Sequence, residues 1–340
     1  MADARSSIGA RISGHKRTDC LVVVEAKGRS FMTAILHTGD PARGSLWQTV
    51  FAEQMPQVDF RCWPEVGSVQ DIRYLIAWTL DPELVADLPN LEVLFSIGAG
   101  VDQLDLSCLP EHVRVVRMME AGITTTMVEY VSMAALCLHR DLPFYLAEQR
   151  KGRWTPQDVR FCSERTVGVM GLGELGRASL ERLRQLGFRT LGWSRSGAEI
   201  EGTLCYDGAG EMDMFLAQCE ILVCLLPLTD ETRGILSRDL FARLPHGANL
   251  INVARGGHLV EQDLLHALET GQLRYACLDV SDPEPLPAGH PFYEHPAILL
   301  TPHIAGVTRK DTAIHALIAN VRRALAGEPM HGEVERARGY

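Results

Sequence analysis

Three polar residues late in the chain stand just beyond short apolar runs. Arg255 follows ANLINVA, Glu284 follows ACLDVSDP and His303 follows AILLTP. Together they suit hydride transfer to a 2-keto acid, which makes three demands on a protein. A cation must hold the carboxylate and polarise the ketone, and arginine does this with a fixed, forked set of donors. An acid must protonate the developing alkoxide, and histidine ionises in the required range. A carboxylate against the other ring nitrogen favours the charged imidazole and orients it. Taken singly, each residue could equally be a surface contact or a solvated loop group. It is the set that points to chemistry.

Such a site needs a source of hydride, and the stretch from Arg165 to Ser196 has the pattern of one. The apolar run Val167 to Met170 meets a loop, Gly171-Leu172-Gly173-Glu174-Leu175-Gly176. An amphipathic helical pattern follows, Gly187 stops it, and a second apolar run ends at Trp193. The sequence therefore predicts strand, phosphate loop, helix, strand. The glycines allow a tight turn and close approach of a pyrophosphate, and the helix N-terminus attracts the anion. The acidic residue that would hold the adenosine 2′-hydroxyl of NAD is missing after the second strand. Ser194, Arg195 and Ser196 stand there instead. A guanidinium and two hydroxyls suit a 2′-phosphate, so NADPH is the expected cofactor, preferred over NADH.

The chain has 340 residues, 46% of them hydrophobic, enough for two domains with full cores. A formal net charge of −10 argues against a general affinity for nucleic acid or an anionic membrane. No continuous apolar run approaches the ~20 residues needed to cross a bilayer. Nine cysteines lie scattered without CxxC or metal-ligand spacing, as expected of reduced thiols in a cytoplasmic protein. No metal site is expected.

Residues 1–31 carry basic residues and one short apolar run, and are expected to be a disordered extension. From Met32 the pattern alternates short strands with helices. Expected strands include Ile35-Leu36, Tyr74 to Trp78, Val93 to Ile97 and Val113 to Val116. A helix is expected from Thr124 to about Arg150, bridging to a second α/β unit. Further strands are expected at Ile221 to Leu226, Ala248 to Val253, Ala276 to Val280 and Ile298 to Leu300. A closing helix, about Lys310 to Ala326, is expected to pack back on the first unit. The expected division is 32–122 plus 310–340 for the substrate domain and 123–309 for the dinucleotide domain.

The segments INVARGG, LDVSDPEPLP and LTPHIAGVT resemble the D-2-hydroxyacid dehydrogenases, in which Arg, Glu and His form the catalytic set. The resemblance covers essentially Met32 to Tyr340. IGAGVD, GLGELG, GWSR, LVCLLPLT, VARG and the ending ERARGY place it nearest the branch that reduces glyoxylate and hydroxypyruvate with NADPH. It implies an α/β fold of two Rossmann-like domains, a flavodoxin-like substrate domain and an NAD(P)-binding one, with a cleft between them. It implies catalytic roles for Arg255, Glu284 and His303. Ala99 and Gly100 would offer backbone N–H groups to the substrate carboxylate, with Trp78 lining the pocket. Leu226 and Pro227 would lie along the cofactor, as would Val253 and Ala254, with Asp279 near the nicotinamide carboxamide. The resemblance also implies a homodimer through the cofactor domain, involving the Thr124 to Arg150 helix. The alternatives are a reductase of a larger keto acid such as phenylpyruvate, and a corepressor-like scaffold that senses dinucleotide.

Overall fold

A computed structural model describes residues 33–336. The expected disorder of residues 1–31 and the ERARGY ending beyond Arg336 lie outside the described residues. The first unit runs β1 (Ala34–Thr38), α1 (Pro41–Gln54), β2 (Asp59–Cys62), β3 (Ile72–Ala77), α2 (Pro82–Ala86), β4 (Val93–Ser96) and β5 (Arg114–Val116). Its strands are all parallel in the order β2-β1-β3-β4-β5. That is the flavodoxin-like order. Asp40 starts α1 by accepting the Ala42 N–H at 3.0 Å, with Pro41 pre-set for the first turn. Trp47 and Phe51 of α1 pack on one face of the sheet against Ile35, Tyr74 and Phe95.

Two helices follow, α3 (Ala121–His139) and α4 (Leu142–Arg150). The single helix expected from Thr124 to Arg150 is thus broken. Pro143 lacks the N–H that would bond back into α3, and Asp141 turns the chain at φ 56°. Asp141 is held there by Arg274 at 3.0 Å. By length and composition alone α3 could cross a membrane. Its buried side chains instead pack on the second sheet, where Met127, Tyr130, Val131 and Leu138 meet Val169, Leu180, Ile251 and Cys277.

The second unit comprises β6 (Thr166–Met170), α5 (Glu174–Gln185), β7 (Arg189–Ser194), β8 (Leu204–Asp207), α6 (Gly208–Leu216) and β9 (Ile221–Cys224). It continues through α7 (Arg238–Phe241), β10 (Ala248–Asn252), α8 (Glu261–Glu269), β11 (Leu273–Leu278) and β12 (Ile298–Leu300). Its seven parallel strands lie in the order β12-β11-β10-β9-β6-β7-β8. Read from β8, this is the doubly wound dinucleotide-binding order with one strand added, and its switch point falls between β6 and β9. β2 and β8 escape the sequence pattern because each is a four-residue edge strand without an apolar run.

The last helix, α9 (Lys310–Leu325), returns to the first sheet and buries Ile314, Leu317, Ile318 and Val321 beside Trp47 and Phe51. The chain thus crosses twice between the sheets, and Glu120 ties the crossings together. Its carboxylate caps α3 through the N–H groups of Gly122 (2.6 Å) and Ile123 (3.1 Å), and also accepts the Arg309 N–H at 3.3 Å.

Candidate active site

Because β10, β11 and β12 are neighbours, their carboxyl ends deliver Arg255, Glu284 and His303 side by side. Gly256 permits this, since a Cβ there would stand 2.0 Å from the carbonyl carbon of Ser281, in the loop that carries Glu284. His303 Nδ1 lies 2.7 Å from Glu284 Oε2, and the other carboxylate oxygen accepts the Ser281 N–H at 3.1 Å. Nε2 is then the ring nitrogen left for a substrate. His303 holds φ 55°, a conformation that non-glycine residues keep only when their surroundings enforce it. Asp279, 1% exposed, enforces it. Its backbone oxygen accepts the His303 N–H (2.7 Å), and its carboxylate accepts Thr301 Oγ1–H (2.6 Å) and the N–H groups of Ile304 (2.9 Å) and Ala305 (2.7 Å). Asp279 therefore shapes the His303 loop, and its carboxylate, with three donors on about four acceptor positions, keeps one on Oδ2 for a further donor such as a carboxamide. Tyr130 of α3 supports the same network through Thr301. Neither Tyr130 nor Thr301 is singled out by the sequence.

Glu284→Gln preserves the shape of this pair and removes its charge. The kcat for keto-acid reduction should then fall, because the carboxylate that orients the ring and balances its charge is gone. Steady-state kinetics with glyoxylate are the check, and an unchanged kcat would remove Glu284 from the proton chemistry.

The Arg255 guanidinium has its edges allotted. Nε donates to Asp102 (2.9 and 3.1 Å to the two oxygens), and Nη1 donates to the Ala254 carbonyl at 2.7 Å. Nη2 stands over Gly100, where a Cβ would come within 2.2 Å of it. Buried Asn252 and His258 brace the Arg255 turn: Asn252 Nδ2 donates to the Arg255 carbonyl at 3.0 Å, and His258 Nδ1 lies 3.1 Å from the same oxygen. The His258 Nε2 reaches the Pro227 carbonyl at 3.2 Å, so this ring links two loops of the site. Burial pushes its pKa below the ordinary imidazole range, against the backbone hydrogen bonds that raise it.

Across the cleft, the turn after β4 is shaped by Ser96, whose hydroxyl accepts the Gly98 N–H (3.2 Å) and donates to the Gly100 carbonyl (3.0 Å). Among the described residues, no acceptor takes the N–H groups of Ala99 or Gly100. Both are thus available to an anion beside Arg255. Trp78 follows β3, and its ring would lie 2.6 Å from a Cβ on Gly98, so the glycine admits the indole over this turn.

The cofactor side begins at the switch point. Gly171 turns at φ 102°, where a Cβ would meet the Leu225 carbonyl oxygen at 2.5 Å. Gly176 packs α5 on the turn, since its Cβ would lie 1.9 Å from the Gly171 oxygen. A Cβ on Gly173 would meet nothing within 4 Å and would project into open space over the start of α5. Gly173 also caps α5 without a side-chain acceptor, leaving the first N–H groups to a phosphate. Glu174 is turned aside onto Thr124 at 2.9 Å. Leu172, Leu226, Val253 and Ala254 are buried along the floor, with Leu175 and Pro227 partly so. At the end of β7 the buried Ser194 Oγ has no partner, which marks a place for a polar ligand atom. Arg195 extends from here and pairs with Glu231 in the loop after β9, while Ser196 is exposed. From Arg255 at β10 to Arg195 at β7 is three strand spacings, about 14–15 Å, a length that an extended dinucleotide bridges. These residues fit such a cofactor. A separate cavity of about 390 Å³, lined by His139, Arg165, Glu220 and Arg274 among others, lies at the opposite, amino ends of the same strands.

Comparison with known proteins agrees with this geometry. The family model for the NAD binding domain of D-isomer specific 2-hydroxyacid dehydrogenases matches residues 132–305. Glyoxylate/hydroxypyruvate reductase A of Serratia proteamaculans is 38% identical over 300 residues, covering 86% of this chain and 96% of that protein. The structure of a D-isomer specific 2-hydroxyacid dehydrogenase from Xanthobacter autotrophicus, solved with NADPH and MES, superposes with a TM-score of 0.86 at 36% identity. That match covers 91% of this chain and 100% of the other. An NADPH-dependent glyoxylate/hydroxypyruvate reductase from Sinorhizobium meliloti, in complex with NADP and sulfate, gives a TM-score of 0.83 at 34% identity, again covering 91% and 100%. With its three acid–base and cationic residues on adjacent strand ends beside a glycine loop, this chain belongs to the D-isomer specific 2-hydroxyacid dehydrogenase family.

Proposed function

We propose that this protein reduces glyoxylate to glycolate and hydroxypyruvate to D-glycerate with NADPH. The observation that carries the reading is the convergence of Arg255, the His303–Glu284 pair and the free N–H groups of Ala99 and Gly100 beside the glycine loop. Bound NADPH would supply the hydride. The substrate carboxylate would lie on the Ala99 and Gly100 N–H groups and on Arg255. The same guanidinium would draw charge onto the ketone oxygen. His303 Nε2 would deliver the proton that turns that oxygen into a hydroxyl, with Glu284 holding the opposite ring nitrogen. Trp78, beside the narrow Gly98–Gly100 turn, favours a short substrate. Residues 123–309 would form the cofactor domain, and 32–122 with 310–340 the substrate domain.

Initial rates of NADPH oxidation over glyoxylate, hydroxypyruvate, pyruvate and phenylpyruvate test this. Highest kcat/KM on the first two is expected, and preference for phenylpyruvate would replace the substrate assignment. No turnover with any keto acid, despite tight dinucleotide binding, would favour a sensing scaffold.

Cofactor choice has its own test. Arg195 is half exposed and must share or release Glu231 to hold a 2′-phosphate. We therefore expect Arg195→Ala to weaken NADPH about 10-fold, the low end of the ~1.5–3 kcal/mol of a charge-assisted hydrogen bond. NADH should be nearly unaffected. Equilibrium fluorescence titrations with both cofactors decide it, and equal losses would move the specificity elsewhere.

The homodimer belongs to the same proposal. Met133, Tyr145, Trp154, Val159 and Phe161 expose apolar side chains on α3, α4 and the segment after them, Trp154 at 99%. A second copy seated there would cover them. The eight described cysteines are free, which suits a cytoplasmic setting.

A further inference from the structure

We propose that Asp102 is a positioning residue: from the first sheet it fixes the plane of the Arg255 guanidinium that the second sheet carries. The proposal rests on the assignment of Arg255 to the substrate, and it adds what keeps that group aimed. Asp102 lies in the loop after β4 and Arg255 after β10, 153 residues apart in the chain. Nε sits 2.9 Å from one carboxylate oxygen and 3.1 Å from the other. Both side chains are mostly shielded, at 21% and 25% exposure, where an ion pair is screened less than at the open surface.

The geometry explains why this contact orients rather than merely attracts. A guanidinium is planar, so holding two of its edges fixes the third. Asp102 takes the Nε edge, and the Ala254 carbonyl takes an N–H of Nη1 at 2.7 Å. What remains is Nη2, poised over Gly100 next to the free N–H groups of the turn. An anion there meets donors from both sheets at once. Without Asp102, the long side chain would regain its rotamers and the third edge would wander. Misplacement by about 1 Å can cost on the order of 10²-fold in rate.

A competing role is distinguishable. If Asp102 merely occupied Arg255 in place of substrate, its removal would free a cation and tighten anion binding. The test is Asp102→Asn, alone and combined with Arg255→Lys, with Tm and NADPH affinity recorded for each. Asp102→Asn is expected to lower kcat for glyoxylate by about 10- to 100-fold. It should weaken oxamate, a non-reacting analogue of a 2-keto acid, and leave Tm and NADPH affinity unchanged. In the Arg255→Lys background the same substitution should cost less than about threefold, since a point charge has no plane to fix. Unchanged or improved turnover, tighter oxamate, or fully additive losses would overturn the proposal. The contact can also be read without substrate, from exchange of the Arg255 Nε–H with solvent, its resonance identified by its loss in Arg255→Lys. Slow exchange in the wild type that becomes fast in Asp102→Asn is expected. Fast exchange in the wild type would overturn the proposal whatever the activity, whereas slow exchange in a protein inactive on every keto acid would overturn the assigned reaction instead.

Discussion

His303→Ala is expected to lower kcat for keto-acid reduction by about 10²–10⁴-fold, the range typical of losing a positioned general acid. The size follows from the geometry. Nδ1 is occupied by Glu284 at 2.7 Å, and the loop is held at φ 55° by Asp279, so the ring has one nitrogen to use and little freedom in aiming it. NADPH affinity should change little, because the glycine loop and Arg195 are untouched. Alanine at this backbone angle adds strain of its own, and His303→Asn separates the two effects. Asparagine tolerates the left-handed region, so it should keep Tm and show the same loss of turnover. A loss below tenfold in both variants would mean that the proton arrives from elsewhere.

Arg255→Lys should reduce kcat/KM by about 10²–10³-fold, comparable to removing a donor aimed at a developing oxyanion. Lysine keeps the charge but presents it as a point on a flexible stem. It cannot serve Asp102, the Ala254 carbonyl and a substrate from fixed directions at once. Both kcat and KM should suffer, since the Nη2 edge that Asp102 and Ala254 hold in place is assigned to the carboxylate in the ground state and to the ketone oxygen in the transition state. Steady-state kinetics with glyoxylate check this. Near-normal values would show that charge alone suffices and that the fork is incidental.

Much of this site is legible in the chain because its parts obey local rules. A strand running into glycines and then an amphipathic helix declares a phosphate loop through the backbone angle at Gly171 and the packing at Gly176. Arg255, Glu284 and His303 announce themselves by standing at the ends of apolar runs. Local rules also mislead. The apolar periodicity of α3 continues into α4, so the pattern suggests one helix where Pro143 and the left-handed Asp141 make two. β2 and β8 are silent because an edge strand can hydrogen-bond on one side without an apolar run to bury.

What the sequence by itself determines here is therefore the set of chemical groups and the elements that carry them: the glycine loop, the residues at the strand ends, and the missing acid beside Arg195. The tertiary structure alone decides what each group faces. Arg195 meets Glu231, which a 2′-phosphate bound there would have to displace or share. Asp279, within a recognisable motif, also holds the turn that carries His303. Asp102, in the same short run as Ala99 and Gly100, meets an arginine 153 residues away. The physical reason is one of range. Backbone angle, helical period and turn chemistry act over a few residues, whereas the pairing of charges across a cleft depends on strand order and on how two sheets are set against each other.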